Sequence, residues 1–301
     1  MEALRYHGVP SYLRRIVQDY LSDRRIVFPA REGWKESAMT RGVPQGSVLG
    51  PLLWNIGSGV GVFMPDDTLV TARGATYREA SLVATAGVAQ VVRRIRQLGL
   101  EVALQKSEAL CFHGPRRGPP PDSSLTVGGV QIAIKSTMRY LGIVLDGRWN
   151  FGAHFAALVP RVMAAAGALT RLLPNIGGPE ASCRRLYMGV VRSMALYGAP
   201  IWAEALSNQN IALLRRPQRV MAIRASRGYR TISCEAACVL AGSIPWDLEA
   251  RTLASLFTWR EEALARGHPP AGTKGDCGTR NELCQRSIEE WSRRLEQPTA
   301  G

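Results

Sequence analysis

A loop rich in glycine and proline, running from Arg41 to an apolar stretch that ends near Asn55, constrains this chain more than any other feature. Pro44 fixes its own φ angle, while Gly46 and Gly50 permit backbone conformations that most other residues avoid. The apolar residues that follow have helical spacing. The loop should therefore lie at the positive end of a helix dipole, where its main-chain N–H groups can approach a ligand. Such a loop suits a flat or anionic ligand. The alternative is an ordinary connection that precedes a core helix.

The balance of charge indicates an anionic partner. The 301-residue chain has a formal net charge of +14, and its 38 basic residues comprise 34 arginines and 4 lysines. Arginine is always protonated and donates in pairs to phosphate oxygens, so nucleic acid is the first candidate partner. Compositional drift toward arginine is the alternative explanation. With 46% hydrophobic residues, the chain can also bury a core and divide into two or more units.

Two features bear on where the chain works. The uncharged run 42–65 is long enough to span a bilayer, but its six glycines and three prolines argue against a transmembrane helix. The first residues lack the apolar core of a secretory signal peptide. We therefore expect no membrane partner, an intracellular location in the nucleus or cytoplasm, and six reduced cysteines whose spacing does not match a zinc ribbon. The oligomeric state is left open.

The first half of the chain alternates between helical and extended patterns. Apolar residues at helical spacing predict one amphipathic helix after Pro10 and another over 76–98. Turn-forming residues between apolar runs predict three pairs of strands. These are a hairpin with strands at 24–28 and 34–40, a strand pair at 102–104 and 109–112, and a hairpin at 125–127 and 130–132. The segment 139–145 predicts one further strand.

The second half of the chain has a helical hydrophobic period. Helices are expected at 155–173, 181–200, 207–225 and 247–266. The second of them carries an apolar stripe formed by Leu186, Val190, Met194 and Tyr197. Eleven arginines and two acidic residues lie between 157 and 230, so this half carries much of the positive charge. A polar tail follows, with one short amphipathic segment around Ile288, Trp291 and Leu295.

Two adjacent carboxylates, Asp66 and Asp67, follow the glycine-rich run. Carboxylate oxygens at a tight turn between apolar strands are ligands that hard divalent cations prefer, and such a cation would bridge the phosphates of a nucleotide. Taken alone, an Asp-Asp pair is more often a solvated turn.

The Pro-Gln-Gly loop at 44–46, the Asp-Asp pair and the segments around Lys106 and Gly142 together resemble the reverse transcriptases of non-LTR (LINE-type) retrotransposons. The resemblance extends over most of the chain. It implies an α/β fold in the first part, as a partial polymerase palm, followed by a mostly α-helical thumb-like unit. The implied domains are 1–150 for the palm with its connector and primer-grip-like hairpin, 151–266 for the thumb-like region, and 267–301 for the polar tail.

The resemblance also implies a chemistry, the addition of deoxynucleotides to a DNA primer on an RNA template with Mg²⁺ as cofactor. Gln45 and Gly46 would shape the nucleotide pocket. Asp66 would bind the metal ion, and Asp67 would support that site. Lys106 would lie at the triphosphate, where an ammonium group stabilises or protonates the leaving pyrophosphate. A surface lysine in a turn is the alternative for that residue.

The same resemblance implies contacts to nucleic acid. The primer grip would consist of Tyr140, Leu141 and Gly142, although a half-buried strand would use these residues for packing alone. The charged helices of the thumb-like region would track a duplex backbone, with a solvated basic helix face as the alternative. The predicted backbone contacts are Arg184, Arg185, Arg215 and Arg216.

Three departures from the family pattern predict weak catalysis. Met64 and Pro65 precede the acidic pair in place of an aromatic residue and alanine, and proline lacks the N–H that a strand would use. Ten residues separate Asn55 from Asp66, too few for the end of a helix and a full strand. The family's first metal-binding Asp lies upstream of the region covered here. We therefore expect a reverse transcriptase fragment impaired in polymerisation as it stands; the alternative is a non-catalytic, nucleic-acid-binding relic.

Overall fold

The computed structural model describes residues 2–6, 8–30, 33–38, 68–97, 101–114, 118–120, 122–267 and 274–296. The chain forms two compact units. The first comprises Met1–Ala109 and Pro119–Ile134, and the second comprises Leu110–Gly118 and Lys135–Gly301. The division into a palm and a thumb-like domain at residue 150 rests on the family resemblance and stays a prediction.

The first unit contains helices and hairpins. The helices among its described residues are α1 (Glu2–Tyr6), α2 (Ser11–Leu21) and α3 (Tyr77–Gln97). Strands β1 (Arg25–Ala30) and β2 (Gly33–Ala38) pair antiparallel, with Arg25 opposite Ala38. The two predicted helices and the first predicted hairpin are thereby confirmed.

A small apolar core joins α3, the turn at Leu104 and the hairpin at 124–135 in the first unit. It consists of Val92, Leu104, Leu125, Val127 and Ile132. Strands β4 (Ser124–Val127) and β5 (Val130–Lys135) form the predicted hairpin. Gly128 and Gly129 make its two-residue turn with φ angles of 57° and 82°, in the left-handed region that glycine enters without steric cost.

Of the strand pair predicted at 102–104 and 109–112, the first strand is wrong, whereas the second is confirmed in part. Leu104 is buried in the apolar core, and Leu104–Lys106 form one 3₁₀ turn in which the Ser107 N–H donates to the Leu104 carbonyl at 3.0 Å. The strand in this described stretch, β3, is confined to Ala109–Leu110. A turn buries Leu104 without the alternating exposure of successive side chains that a strand requires.

The second unit contains a hairpin of β6 (Thr137–Tyr140) and β7 (Ile143–Asp146). The single strand predicted at 139–145 is therefore wrong. Leu141 and Gly142 have φ angles of 45° and 82°, so the chain reverses direction there through a two-residue turn. Leucine rarely adopts such a φ angle, and its apolar side chain made the turn look like part of a strand.

Helices make up most of the second unit. They are α4 (Gly152–Thr170), α5 (Ala181–Ala195), α6 (Ala199–Trp202), α7 (Asn208–Ser226), α8 (Cys234–Ala241), α9 (Trp246–Ala265) and α10 (Lys274–Glu296). The four predicted helices correspond to α4, α5, α7 and α9. The apolar core that they share includes Phe151, Phe155, Leu173, Trp202 and Trp246, all of which are fully buried.

Helix α4 is long and apolar enough to cross a membrane, judged by length and composition alone. It is also the central core helix of this unit. Its residues Phe155, Leu158 and Val162 belong to the apolar cluster that α5, α7 and α9 complete. Packing against these neighbouring helices accounts for its composition.

The apolar stripe predicted on α5 is not the buried face of that helix. Leu186 and Val190 are 65% and 45% exposed, whereas Arg184, Val191 and Ala195 are buried. The helix is turned so that the Arg184 side chain lies inside, where backbone carbonyl groups accept hydrogen bonds from its guanidinium group.

Arg184 binds four carbonyl oxygens. Its Nε donates to Pro179 O at 3.0 Å, and its Nη1 donates to Arg224 O at 2.7 Å. Its Nη2 donates to Pro174 O at 2.6 Å and to Gly177 O at 3.3 Å. This one side chain therefore ties the connection between α4 and α5 to the end of α7.

The amphipathic segment predicted in the polar tail is part of a longer helix than expected, because this region forms the 23-residue helix α10, which packs against α9. Arg294 Nη1 donates to Asp247 Oδ2 at 2.7 Å, and the Asp247 side chain is 1% exposed. Ile288 remains largely exposed. Trp291 of the predicted amphipathic segment packs against the apolar cluster that includes Cys238, so an apolar contact and a buried carboxylate together fix this helix.

His154 is a buried polar residue of the second unit. It lies on α4, 3% exposed, and the Val144 N–H of β7 donates to its Nδ1 at 3.4 Å. Its Nε2 has no hydrogen-bond partner among the described residues. Burial lowers the pKa of the imidazole, so the ring is neutral at about pH 7.

Replacing Arg184 with alanine should lower the free energy of unfolding by roughly 3 kcal/mol or more, because four carbonyl oxygens would lose their charged donor. Chemical denaturation measures this difference. Arg185→Ala is the matched control, since Arg185 lies on the same helix but is exposed; its loss should change the free energy by less than about 0.5 kcal/mol. Equal effects of the two substitutions would contradict the structural role of Arg184.

The free energy of unfolding should fall as the pH is lowered from about 7.5 to about 5.5, and His154 should contribute to that fall. The folded state holds the pKa of His154 below its ordinary value of 6.5, so the unfolded chain takes up a proton that the folded chain resists. His154→Phe removes this difference and should flatten the pH dependence. Denaturation curves at several pH values provide the test, and an unchanged pH dependence in the variant would show that His154 does not titrate on unfolding.

Candidate nucleic-acid interface

The residues predicted to hold the nucleotide and the metal ion lie outside the described residues. Gln45, Gly46, Asp66 and Asp67 all fall within 39–67, a range that contains none of the described residues. Their predicted roles therefore stay predictions. Among the residues that are described, no group of three or more His, Cys, Asp or Glu side chains is placed to hold a metal ion.

Lys106 is described, and it ends the 3₁₀ turn that begins at Leu104. Leu104 is buried in the apolar core of the first unit, whereas Lys106 is exposed. The core residue fixes the turn, and the turn presents an ammonium group to solvent at a defined place. This arrangement is compatible with contact to a phosphate, and it equally describes a surface lysine.

The turn predicted to be the primer grip is held from behind by Tyr197. The hydroxyl group of Tyr197 donates to the Leu141 carbonyl at 2.9 Å, and a Cβ atom at Gly142 would lie 3.3 Å from the tyrosine ring. Trp202 Nε1 donates to the Tyr197 carbonyl at 3.0 Å, so the buried tryptophan fixes the tyrosine in turn. The exposed Leu141–Gly142 turn is therefore connected to the core through two successive hydrogen bonds.

A groove of about 450 Å³ lies beside this turn, where the β6–β7 hairpin meets α4 and α5. Arg139 of β6 and Arg161 of α4 are exposed at this groove, and no acidic residue is among the described residues that line it. The lining residues that bear on ligand binding are Arg139, Gly142, Val144, Arg161, Ser193 and Tyr197. Two guanidinium groups without a competing carboxylate make a positively charged groove that suits phosphate oxygens.

The four arginines predicted to contact nucleic acid have different environments. The prediction for Arg184 is wrong, because its side chain is 1% exposed and its donors are used by backbone carbonyl groups. Arg215 is partly exposed and forms a salt bridge with Glu235 at 3.0 Å. Arg185 and Arg216 are exposed, so their predicted contacts to phosphate stay predictions.

Three residues at this groove, Arg139, Arg161 and Tyr197, are not among the predicted site residues. Tyr197 was assigned to an apolar stripe, although 56% of its surface is exposed and its hydroxyl group binds the β6–β7 turn. Arg139 directly precedes Tyr140 of the predicted primer grip, a position that could have singled it out. Arg161 carries no local signal, because its relation to the hairpin arises when α4 packs against β7.

Comparison with known proteins finds sequence relatives, while no family model and no solved structure matches the chain. The retrovirus-related Pol polyprotein from type-1 retrotransposable element R1 of Bradysia coprophila is 29% identical over 258 residues, which is 80% of this chain and 25% of that protein. The putative 115 kDa protein in type-1 retrotransposable element R1DM of Drosophila melanogaster is 30% identical over 270 residues, 84% of this chain and 25% of that protein.

A third relative carries the name of an enzyme. The probable RNA-directed DNA polymerase from transposon BS of Drosophila melanogaster is 28% identical over 214 residues, 65% of this chain and 24% of that protein. The chain thus spans about a quarter of the length of these three relatives. Nothing in these comparisons favours the alternative of a non-catalytic relic. By similarity over most of its length, and in agreement with its predicted motifs, the chain belongs with the Pol polyproteins and RNA-directed DNA polymerases of non-LTR retrotransposons.

Proposed function

We propose that this chain is the part of an RNA-directed DNA polymerase that contributes residues to the nucleotide site and holds the primer strand. Its first part would be the remainder of an α/β palm, and its helical part would be a thumb. The observation that carries the proposal is the positively charged groove beside the Leu141–Gly142 turn. The partners would be an RNA template, a DNA primer and deoxynucleotides.

The groove suits a nucleic-acid backbone for two physical reasons. Arg139 and Arg161 lie at its exposed parts, and a guanidinium group matches the geometry of phosphate oxygens. Gly142 has no side chain, and a Cβ atom there would lie 3.3 Å from the Tyr197 ring, so the tyrosine packs against the main chain and holds the turn beside the groove rigid. Contacts of this kind position a strand without reading its sequence.

The nucleotide site would be supplied by the loop around Gln45 and by the acidic pair Asp66 and Asp67. The donor set of two adjacent carboxylates suits a hard divalent cation such as Mg²⁺. When bound, such an ion would neutralise charge on the triphosphate as the phosphoryl group is transferred. Lys106 would add a second positive charge at the triphosphate, and its exposure leaves the ammonium group accessible to a nucleotide.

The chain should bind nucleic-acid duplexes with little sequence preference and with a strong dependence on salt. If about five phosphates are neutralised, the logarithm of affinity should fall with the logarithm of salt concentration with a slope of roughly −4 to −5. In the double variant Arg139→Ala, Arg161→Ala the slope should become shallower by about 2, since two phosphate contacts are lost. Fluorescence anisotropy with a labelled duplex at several salt concentrations measures both slopes.

A matched control is the double variant Arg171→Ala, Arg251→Ala, which removes the same charge from two exposed positions away from the groove lining. Its slope should stay close to that of the unmodified chain. If the slope becomes shallower by the same amount in both double variants, the groove is not the binding site. An affinity that does not depend on salt would contradict the proposed function altogether.

Lys106 should be protected from chemical acylation when the chain is mixed with a template–primer duplex, a deoxynucleotide and Mg²⁺. A triphosphate bound at its ammonium group would shield the amine and hold it protonated, which makes it a poorer nucleophile. Mass spectrometry of acylated peptides measures the reaction at each lysine. Lys35 is the control, because it is exposed on β2 and has no predicted role at the nucleotide. Equal acylation of Lys106 with and without nucleotide would refute its assignment.

A further inference from the structure

Two aromatic side chains are exposed at the junction between β7 and α4, and neither belongs to the groove or to a predicted site. Trp149 is 45% exposed and Phe112 is 52% exposed. Their ring centroids lie 5.2 Å apart at an interplanar angle of 73°. Trp149 also contacts the fully buried Phe151, with centroids 5.0 Å apart at 71°. The exposed pair is therefore anchored on the core by a third ring.

The backbone that presents Trp149 is strained. Trp149 and Phe151 have φ angles of 56° and 57°, which aromatic residues rarely adopt. Such conformations persist when the surroundings determine them completely, and they often occur at functional sites. Here the carboxylate of Asp146 accepts hydrogen bonds from the N–H groups of Arg148, Asn150 and Phe151 at 3.0, 3.2 and 2.6 Å.

Further contacts hold the same loop. Asn210 is buried on α7, and its Nδ2 donates to the Asn150 carbonyl at 3.0 Å. The His113 N–H donates to the Gly147 carbonyl at 2.8 Å. A Cβ atom at Gly147 would lie 2.7 Å from the carbonyl oxygen of Cys111, so the two backbone segments touch. The aromatic pair is consequently displayed on a rigid support, and a ligand that binds it would pay little entropy for ordering the loop.

We propose that Trp149 and Phe112 form a stacking platform, in which the Trp149 ring stacks on an unpaired nucleobase of a single strand and Phe112, nearly perpendicular to it, supports that ring. Every base has an apolar face that stacks on an aromatic ring, and the phosphate of the same nucleotide requires a nearby cation. Arg148 is exposed beside Trp149, and the chain as a whole has a net charge of +14. The choice of nucleic acid as the ligand rests on the proposed function, whereas the choice of an unpaired base rests on the rings.

Binding of a short unstructured oligonucleotide, measured beside binding of a duplex, tests this platform. Trp149→Ala should weaken binding of the single strand on the order of tenfold, which corresponds to the loss of one stacked base. Trp149→Phe keeps a ring and should retain most of the affinity. Trp34→Ala is the matched control, because Trp34 is 75% exposed on β2 and should contribute nothing. Duplex affinity and its salt dependence should be the same in all three variants.

Crosslinking supplies a readout that does not depend on affinity. A single strand that carries bromouracil should form photoadducts at Trp149 or Phe112, identified by mass spectrometry. Equal single-strand affinity of the unmodified chain and Trp149→Ala, or adducts confined to other residues, would overturn the platform and leave a protein partner as the explanation for the exposed rings. Ring-dependent binding of single strands without any binding of duplexes would support the platform while overturning the proposed primer-holding function.

Discussion

The carboxylate of Asp146 is the interaction on which the rest of the second unit depends. It ends β7 and accepts hydrogen bonds from three backbone N–H groups, the last of them at Phe151, the residue before α4. A negative charge at the start of a helix is also favoured by the helix dipole. This one side chain therefore joins the β6–β7 hairpin to the core helix. The groove lined by Arg139 and Arg161 exists because that junction is fixed.

Some of the arginines make structural contacts within the protein, and others are exposed to solvent. Arg184 lies inside and joins two stretches of backbone, the α4–α5 connection and the end of α7. Arg294 forms a salt bridge with the buried Asp247, and Arg215 pairs with Glu235. Net charge alone therefore overstates the surface that can meet phosphate. The arginines at the groove matter more than their number suggests, because no carboxylate among the lining residues competes for them.

Periodic patterns predicted the helices and the Gly-Gly hairpin, because these depend on local backbone preferences and on an apolar face. The failures have tertiary causes. Arg184 was assigned to the surface, because a long charged side chain is rarely buried unless carbonyl groups from distant segments converge on it. The apolar Leu141 gave no sign of a turn, because that turn is stabilised by a hydrogen bond from Tyr197, which lies 56 residues further along the chain. At the candidate site, the family resemblance singled out residues 140–142, which form or border the turn beside the groove, but not Arg161, which packing brings there.

The central claim is that the groove beside the Leu141–Gly142 turn receives a nucleic-acid backbone. Amide hydrogen exchange with and without a template–primer duplex tests it directly, since a bound strand shields backbone amides that it covers. Exchange should slow at the β6–β7 turn and at the end of α5 near Ser193, and it should stay unchanged in α10. Slower exchange confined to other parts of the chain, with no change at the turn, would contradict the assignment of this groove.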